Sequence, residues 1–534
     1  MISSRIFNYL KIAVGVVVLI SFWLFSRFTV DDAFIAWRYG KNLIDSGIWN
    51  YNPTAIDMTQ AYTSPIYAIL SIVPNYFGLD IVMFFKGFAL LNLFCFIYYY
   101  IVKVKNSSLF LLLFFAVPAS FVHLFGGMET FLFVSITVVF LISVYEDRHV
   151  IVITSVLFLF LIRPESWTLT VLLPTYYLLG SIKLNELNLT NKYCSGNKIK
   201  AIVASFDWQI FGFVFAILFS FLAAYFIFHY SHFGYLLPNT FYVKSNSPLG
   251  LSTIKKLIWY AFLIAPLILL VVYKNYRYFF LMASFFLSMA VVYASSSLQM
   301  DYVGRFAFHL FSPTYFFLIY FITKHVSGDV KIELKDKFSY VCNISLRLAL
   351  YSLIIIYLGL FAWRTSDPAS LANISDYYPR ALDSHASLGK TINIVAAENN
   401  INAFVFSDAG MVAYHSNINA LDNIGLGSSF VAHHGVTDDL LNSYKPEIVI
   451  FRAHTGGIHF DSNYQKTIYN WSKRQGLFEI GDVYWRPGYI LRIYSKVNHL
   501  AFTETIERSY TRNNISVQSY SSHLFTPPWY YWKE

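Results

Sequence analysis

The chain has 534 residues, of which 56% are hydrophobic and only 13% charged, with a formal net charge of +9 and a mean hydropathy of +0.50. That balance excludes an ordinary water-soluble domain and marks a membrane protein. The positive charge sits in small loops rather than in one basic run, and no zinc-ligand spacing accompanies it, so nothing argues for nucleic acid.

Arg5 and Lys11 precede a first apolar run that ends near Phe28. No small-residue cleavage site follows, which predicts an uncleaved signal anchor with a cytoplasmic N-terminus. The segment "VDDAFIAWRYGKNL" then carries Asp31 and Asp32 out of the membrane. The next apolar piece, "SPIYAILSIVPNYFG", provides about 21 Å of helix against a hydrocarbon core of about 30 Å, and Pro74 interrupts it. It is expected to lie along the interface.

Spans are then expected near 81–102, 107–125, 129–145, 149–162, 166–180, 208–229, 255–273, 278–294, 306–323 and 345–363, about eleven transmembrane helices with the anchor. This register puts Lys103, Lys105, Lys183, Lys192, Lys198, Lys200, Lys274, Arg277, Lys324, Lys331, Lys335 and Lys337 in cytoplasmic loops, as the positive-inside rule requires. Cys95 falls in an apolar run while Cys194 and Cys342 fall in lysine-containing loops, so no disulfide framework is implied. After Trp363 the polarity becomes ordinary. The runs "INAFVFSD", "PEIVIFRA" and "GYILRIYS" read as strands and Leu382 to Ile394 as a helix, which predicts an extracytoplasmic α/β domain over 364–534 behind a membrane domain over 1–363.

The outer loops collect the unusual polar residues: Asp31, Asp32 and Arg38 in the first, Glu129 in "FGGMETF", Arg163 and Glu165 in "LIRPESW", Asn239 and Lys244 in "YLLPNTFYVK", and Asp301 and Arg305 in "QMDYVGRFAF". Cations on the side that should be poor in them suggest a retained anion, and an arginine fork suits phosphate. Plainer roles exist for each. One of the Asp pair can cap the helix that follows, although Asp31, Ile35, Arg38 and Asn42 share a face. Glu129 and Glu165 can sit at helix starts, Arg163 can anchor at the interface, and Lys244 can snorkel. His433 and His434 lack a third metal ligand at a suitable spacing and read as structural.

The ordered set "DDAFIAWRYGKNLIDSGIWNYNP", "AYTSPIY", "GMET", "RPE", "GYLLPNTFYVK" and "FSDAGMVAYHSNINALDNIGLG" resembles the GT-C glycosyltransferases, in particular the mycobacterial membrane arabinofuranosyltransferases that take a sugar from a polyprenyl phosphate. Two departures stand out. Gln60 and Ala61 occupy the place of a family acidic residue, and "MDYVGRF" is shorter than the family's Asp-to-Arg spacing.

The resemblance implies a polytopic α-helical bundle whose first outer loop bears the catalytic Asp, interfacial helices after it, and a periplasmic C-terminal domain, in a bacterial cytoplasmic (inner) membrane. It implies a polyprenyl-phosphate sugar donor and a glycan or glycolipid acceptor, among membrane lipids. Asp31 is then the expected base, with Asp32 orienting the acceptor or helping to hold a cation. Arg163, Lys244, Arg305 and Arg38 are the expected phosphate ligands, and Glu129, Glu165, Asn239, Tyr62 and Asp301 support them. No cofactor follows with certainty; a hard divalent ion, Mg²⁺ or Ca²⁺, is compatible with paired carboxylates. A lipid-sugar flippase and a non-catalytic glycan-assembly protein remain as other readings, the first disfavoured because the charges gather at one face.

Overall fold

Long apolar runs form helices because hydrocarbon leaves no other partner for backbone N–H and C=O groups. In the computed structural model, which describes residues 2–105, 107–180, 208–244, 250–297, 301–326, 337–454, 457–458, 460, 463–486 and 489–496, helix α1 spans Ile2–Phe25 and α2 Asp31–Ser46. The expected interfacial piece is two short helices, α3 (Pro65–Leu70) and α4 (Ile72–Phe77). Then follow α5 (Ile81–Lys103), α6 (Ser108–Ala116), α7 (Pro118–Phe125), α8 (Thr130–Tyr145), α9 (His149–Ile162) and α10 (Leu169–Gly180). After these come α11 (Trp208–Phe233), α12 (Asn239–Lys244), α13 (Leu251–Ile264), α14 (Ile268–Val272), α15 (Tyr276–Ser295), α16 (Arg305–Val326) and α17 (Lys337–Thr365).

Among the described residues six helical segments are long and apolar enough to cross a membrane, or seven if α6 and α7 count as one. Those two are bent by 77°, at Pro118, whose ring forces the preceding Val117 into extended backbone. Helices α8 and α9 are apolar but shorter. The expected loop lysines Lys183, Lys192, Lys198, Lys200, Lys331 and Lys335 lie outside the described residues.

Charged side chains at the helix ends fall into two poles. At one, Glu146 pairs with Lys103, Arg148 (2.8 Å) and Lys324 (3.8 Å), and Asp147 pairs with Arg277 (3.0 Å). At the opposite ends of α8 and α9, Arg163 pairs with Glu129 and Glu165. The loops predicted to carry cytoplasmic charge therefore meet each other, and the outer motifs meet elsewhere.

The C-terminal unit continues with α18 (Pro368–Ala372) and α19 (Tyr378–Asn399), then β1 (Ala403–Phe406), α20 (Met411–Ser416), β2 (Asn419–Asp422), α21 (Ser429–His434), α22 (Asp438–Tyr444), β3 (Ile448–His454), β4 (Gly457–Ile458), α23 (Asn463–Arg474), β5 (Phe478–Arg486) and β6 (Tyr489–Ser495). The sheet order is β2-β1-β3-β6-β5, with β4 on β3. Its first three strands are parallel, and the β5–β6 hairpin adds antiparallel beside β3. The strands expected from the sequence are β1, β3 and β6.

Helix α2 lies between the bundle and this unit. Trp37 stacks on Phe85 at 4.6 Å between ring centres and Tyr67 on the same ring at 5.1 Å, pairs worth roughly 0.5–1.5 kcal/mol each beyond their burial. Gly127, at φ +78°, lets the turn before α8 come against α2: a Cβ there would stand 3.0 Å from the Trp37 ring.

The two poles give a direct expectation. In a cysteine-free background, cysteines replacing the exposed Ser46 and Ser443 should react with an impermeant maleimide from the same side of sealed vesicles, and one replacing Lys105 from the other. Reaction of all three from one side contradicts the arrangement.

Candidate functional site

The helix ends around the second pole enclose a cavity of about 540 Å³ lined by Asp32, Tyr62, Glu129, Arg163, Glu165, Lys244 and Arg305 among the residues singled out above. Its other walls are mainly apolar, with Ile35, Tyr67, Trp167, Phe241, Tyr293 and Phe306 prominent. Apolar walls of this kind strengthen the charge interactions beside them.

Arg163 is fully engaged. Its Nη1 donates to Glu129 at 2.7 Å, while Nη2 and Nε donate to the two oxygens of Glu165 at 2.8 and 3.1 Å. The guanidinium also lies 5.7 Å from each of the Tyr293 and Phe306 ring centres. Burial works against the charge, but Glu165, Tyr293 and Glu129 together hold Arg163 more firmly protonated than usual. Burial likewise works against the Glu165 carboxylate, and Arg163 outweighs it and keeps Glu165 below its usual range. This trio forms a rigid wall with one net negative charge.

Arg305 and Lys244 are different. Arg305 is buried, packs over Phe306 at 4.7 Å, and has its Nε and Nη1 without a hydrogen-bond partner among the described residues. A buried, unsatisfied guanidinium is costly unless an anion meets it. It is aimed by a turn in which Val303 and Gly304 are both left-handed, at φ +50° and +65°. For a β-branched residue such as Val303 this is strain of roughly 1–3 kcal/mol. Neither the Lys244 ammonium nor the Asp32 carboxylate has a hydrogen-bonded or ion-paired partner among the described residues. Burial lowers the Lys244 pKa, the Asp32 charge opposes that, and Arg305 and Arg163 add to the lowering. Outside the Arg163 trio the cavity wall thus holds one carboxylate, Asp32, and two cations, Lys244 and Arg305, the latter also beside Tyr302 and Asp301.

Four sequence candidates lie outside the cavity lining. Asp31 points to the α/β unit, where its oxygens accept from the backbone N–H of Gly410 (3.1 Å) and Met411 (2.8 Å) at the start of α20. It is indeed a helix cap, but of a helix some 380 residues away rather than of α2. Burial pushes Asp31 up to about 6, opposed by the neighbouring His385 and reinforced by Asp408. Arg38 donates Nε and Nη2 to the carbonyls of Tyr51 (2.6 Å) and Ile418 (2.7 Å), its Nη1 has no partner among the described residues, and none of the group reaches the cavity lining. Asn239 donates to the carbonyls of Gly425, Leu426 (3.1 Å) and Ser428 (3.1 Å), and Asp301 accepts from Phe306 N–H at the start of α16 (3.2 Å).

Sequence reasoning missed Tyr293 and Leu426. Tyr293 looks like any aromatic residue near the end of a span. Leu426 lies in "DNIGLG", quoted above within the resemblance, and brings the α/β unit into the cavity wall. Among the described residues no three His, Cys, Asp or Glu side chains converge as metal ligands. In the cavity Arg163 occupies both glutamates, which leaves one carboxylate beside two cations. Mg²⁺ takes one or two carboxylates and completes its shell with water and phosphate oxygens, and Asp32 is the cavity carboxylate without an arginine partner.

Residues 382–501, most of the α/β unit, match a family model described as a domain of unknown function, DUF8728. No curated protein and no solved structure matches the chain.

The Asp31 contact yields a test. A Cβ at Gly410 would stand 2.1 Å from the Asp31 carbonyl oxygen and 2.3 Å from its Oδ2. Gly410→Ala is expected to cost about 1–3 kcal/mol in thermal unfolding, because α2 and α20 must separate. Gly212→Ala, where an added Cβ meets nothing within 4 Å, is the control and should not destabilise. Equal behaviour of the two variants contradicts the clamp.

Proposed function

We propose that the protein is a GT-C-type membrane glycosyltransferase that moves a sugar from a polyprenyl-phosphate donor to a cell-envelope glycan or glycolipid. On this reading the chain crosses a bacterial inner membrane about eleven times, the lysine-bearing pole is cytoplasmic, and the cavity and α/β unit are extracytoplasmic. The grouping of charges into two poles supports that topology, since it matches the side each loop takes under the positive-inside rule. The observation that carries the function is the charge arrangement of the cavity: an unpartnered Asp32 beside Lys244 and a buried Arg305 with unsatisfied N–H groups.

The chemistry follows from those groups. Arg305 and Lys244 bind the donor phosphate and neutralise the charge that grows on it as the bond to the anomeric carbon breaks. The acceptor hydroxyl oxygen bonds to that carbon, its proton passes to Asp32, and the electron pair of the broken bond leaves with the polyprenyl phosphate. The base role expected for Asp31 thus passes to Asp32, because both Asp31 oxygens are occupied by backbone N–H groups. Arg163 shapes the wall instead of holding the phosphate, since its hydrogen-bonding fork is filled by Glu129 and Glu165.

Purified protein screened against polyprenyl-phosphate sugars should transfer or hydrolyse at least one. Asp32→Asn should slow the chemical step by on the order of 10²–10⁴ while donor binding survives. Arg305→Gln should weaken donor binding at least tenfold. Full activity of Asp32→Asn removes the base assignment, and wild-type protein inert toward every donor removes the enzyme.

A further inference from the structure

The cavity reaches the protein surface at Phe241. This ring lines it, is half exposed, and begins a line of aromatic side chains that runs onto the α/β unit. Phe241 meets Tyr242 at 5.9 Å between ring centres, and Tyr242 meets His433 at 4.4 Å. His433 stacks on Tyr235 at 4.3 Å with 12° between planes. His433 then meets His434 at 6.2 Å, and His434 meets Phe430 at 5.0 Å. Both histidines are exposed, and Tyr235, Tyr242 and Phe430 are half buried. Two segments distant in sequence build this strip, the α11–α12 connection with helix α12 itself and helix α21, and the Asn239 side chain ties them together through the carbonyls of Gly425, Leu426 and Ser428.

We propose that this strip is the binding site of the acceptor's carbohydrate chain, leading a glycan several sugars long from the α/β unit into the cavity. The proposal rests on the transferase reading above. The residue types argue for sugar. Successive planes along the line are inclined by 88°, 55°, 49° and 54°, so the strip presents both ring faces, which suit the C–H side of a sugar, and ring edges with tyrosine hydroxyls and imidazole nitrogens, which suit its hydroxyls. An acyl chain needs none of those polar edges, and an anionic partner would need cations, which none of these residues supplies. Contact with Tyr235 and Tyr242 partly desolvates the His433 ring and, with the neighbouring His434, lowers its pKa from the usual value. Aromatic side chains also present this area at low entropic cost. Each ring-to-ring step, between 4.4 and 6.2 Å along the line from Phe241 to Phe430, is of the order of one sugar ring, so the strip suits an oligosaccharide rather than a monosaccharide.

The test uses full-length protein in nanodiscs and a panel of soluble linear hexose and pentose oligosaccharides of three to six units, with binding read by saturation-transfer NMR and no turnover required. At least one oligosaccharide should bind. Tyr235→Ala and His433→Ala should each weaken it tenfold or more, and His433→Phe, which keeps a flat ring, should recover most of the affinity. No binding by the wild-type protein, or binding unchanged in both alanine variants, overturns the strip. Strong quenching of His433→Trp fluorescence by brominated lipid, with glycan binding unaffected by the alanine changes, also overturns it and assigns these rings to the membrane surface. Sugar transfer to a monosaccharide acceptor without oligosaccharide binding removes the strip alone, whereas oligosaccharide binding without any transfer removes the transferase reading and leaves the strip standing.

Discussion

Two carboxylates of the first loop cap helices of a unit more than 350 residues away. Asp31 takes the N–H groups of Gly410 and Met411 ahead of α20, and Asp57 takes those of Ser429 (3.1 Å) and Phe430 (3.3 Å) at the start of α21, together with the Ser428 hydroxyl. The first turn of a helix leaves N–H groups that nothing within the helix can satisfy, and these ends are buried. Hydrogen bonds to a charged acceptor are worth roughly 1.5–3 kcal/mol each, and a buried N–H left without one costs about as much. The first loop and the α/β unit are thereby tied into one body, reinforced by Lys41 on the Tyr414 carbonyl, Asn52 on Ala420 N–H and Tyr51 on the Ala409 carbonyl.

That tie sets the geometry of the cavity. Successive residues of an α-helix point about 100° apart, so a helix held by Asp31 toward the α/β unit must aim Asp32 elsewhere. Here that direction is the cavity. The same docking presses the 423–428 loop inward, with Leu426 in the wall and Asp422 holding the loop through Ile424 and Gly427 N–H. The adjacent acids therefore divide the work: one fixes the scaffold and the other faces the cavity that Lys244 and Arg305 also line.

The sequence carried the helices well, because long apolar runs have one solution in hydrocarbon: expected spans near 81–102, 208–229 and 278–294 appear as Ile81–Lys103, Trp208–Phe233 and Tyr276–Ser295. Strands β1, β3 and β6 were legible as short apolar runs, whereas β2, "NALD", is four residues long and β5 carries Glu479, Gly481 and Asp482, so neither announced itself. Collecting the outer charges into one group was also within reach, since loop parity alone puts them on one side. Their division was not. Whether Asp31 or Asp32 faces the cavity depends on Gly410, and whether Arg38 is free depends on Ile418, partners that no local pattern reveals. Arg163 looked like a phosphate ligand until Glu129, 34 positions earlier, filled it.

The central claim is that the anion belonging to this cavity sits on Arg305 and Lys244 with the reacting carbon turned toward Asp32. Its most direct measurement is a cryo-EM structure of the protein with a non-hydrolysable phosphonate analogue of a polyprenyl-phosphate sugar. The account predicts phosphonate oxygens about 3 Å from the Arg305 and Lys244 nitrogens, with the Arg163 trio unbroken and Asp32 beside the sugar's anomeric carbon. A phosphonate seated at the lysine-bearing pole, or bound in the cavity by Arg163 after its glutamates have let go, would contradict it.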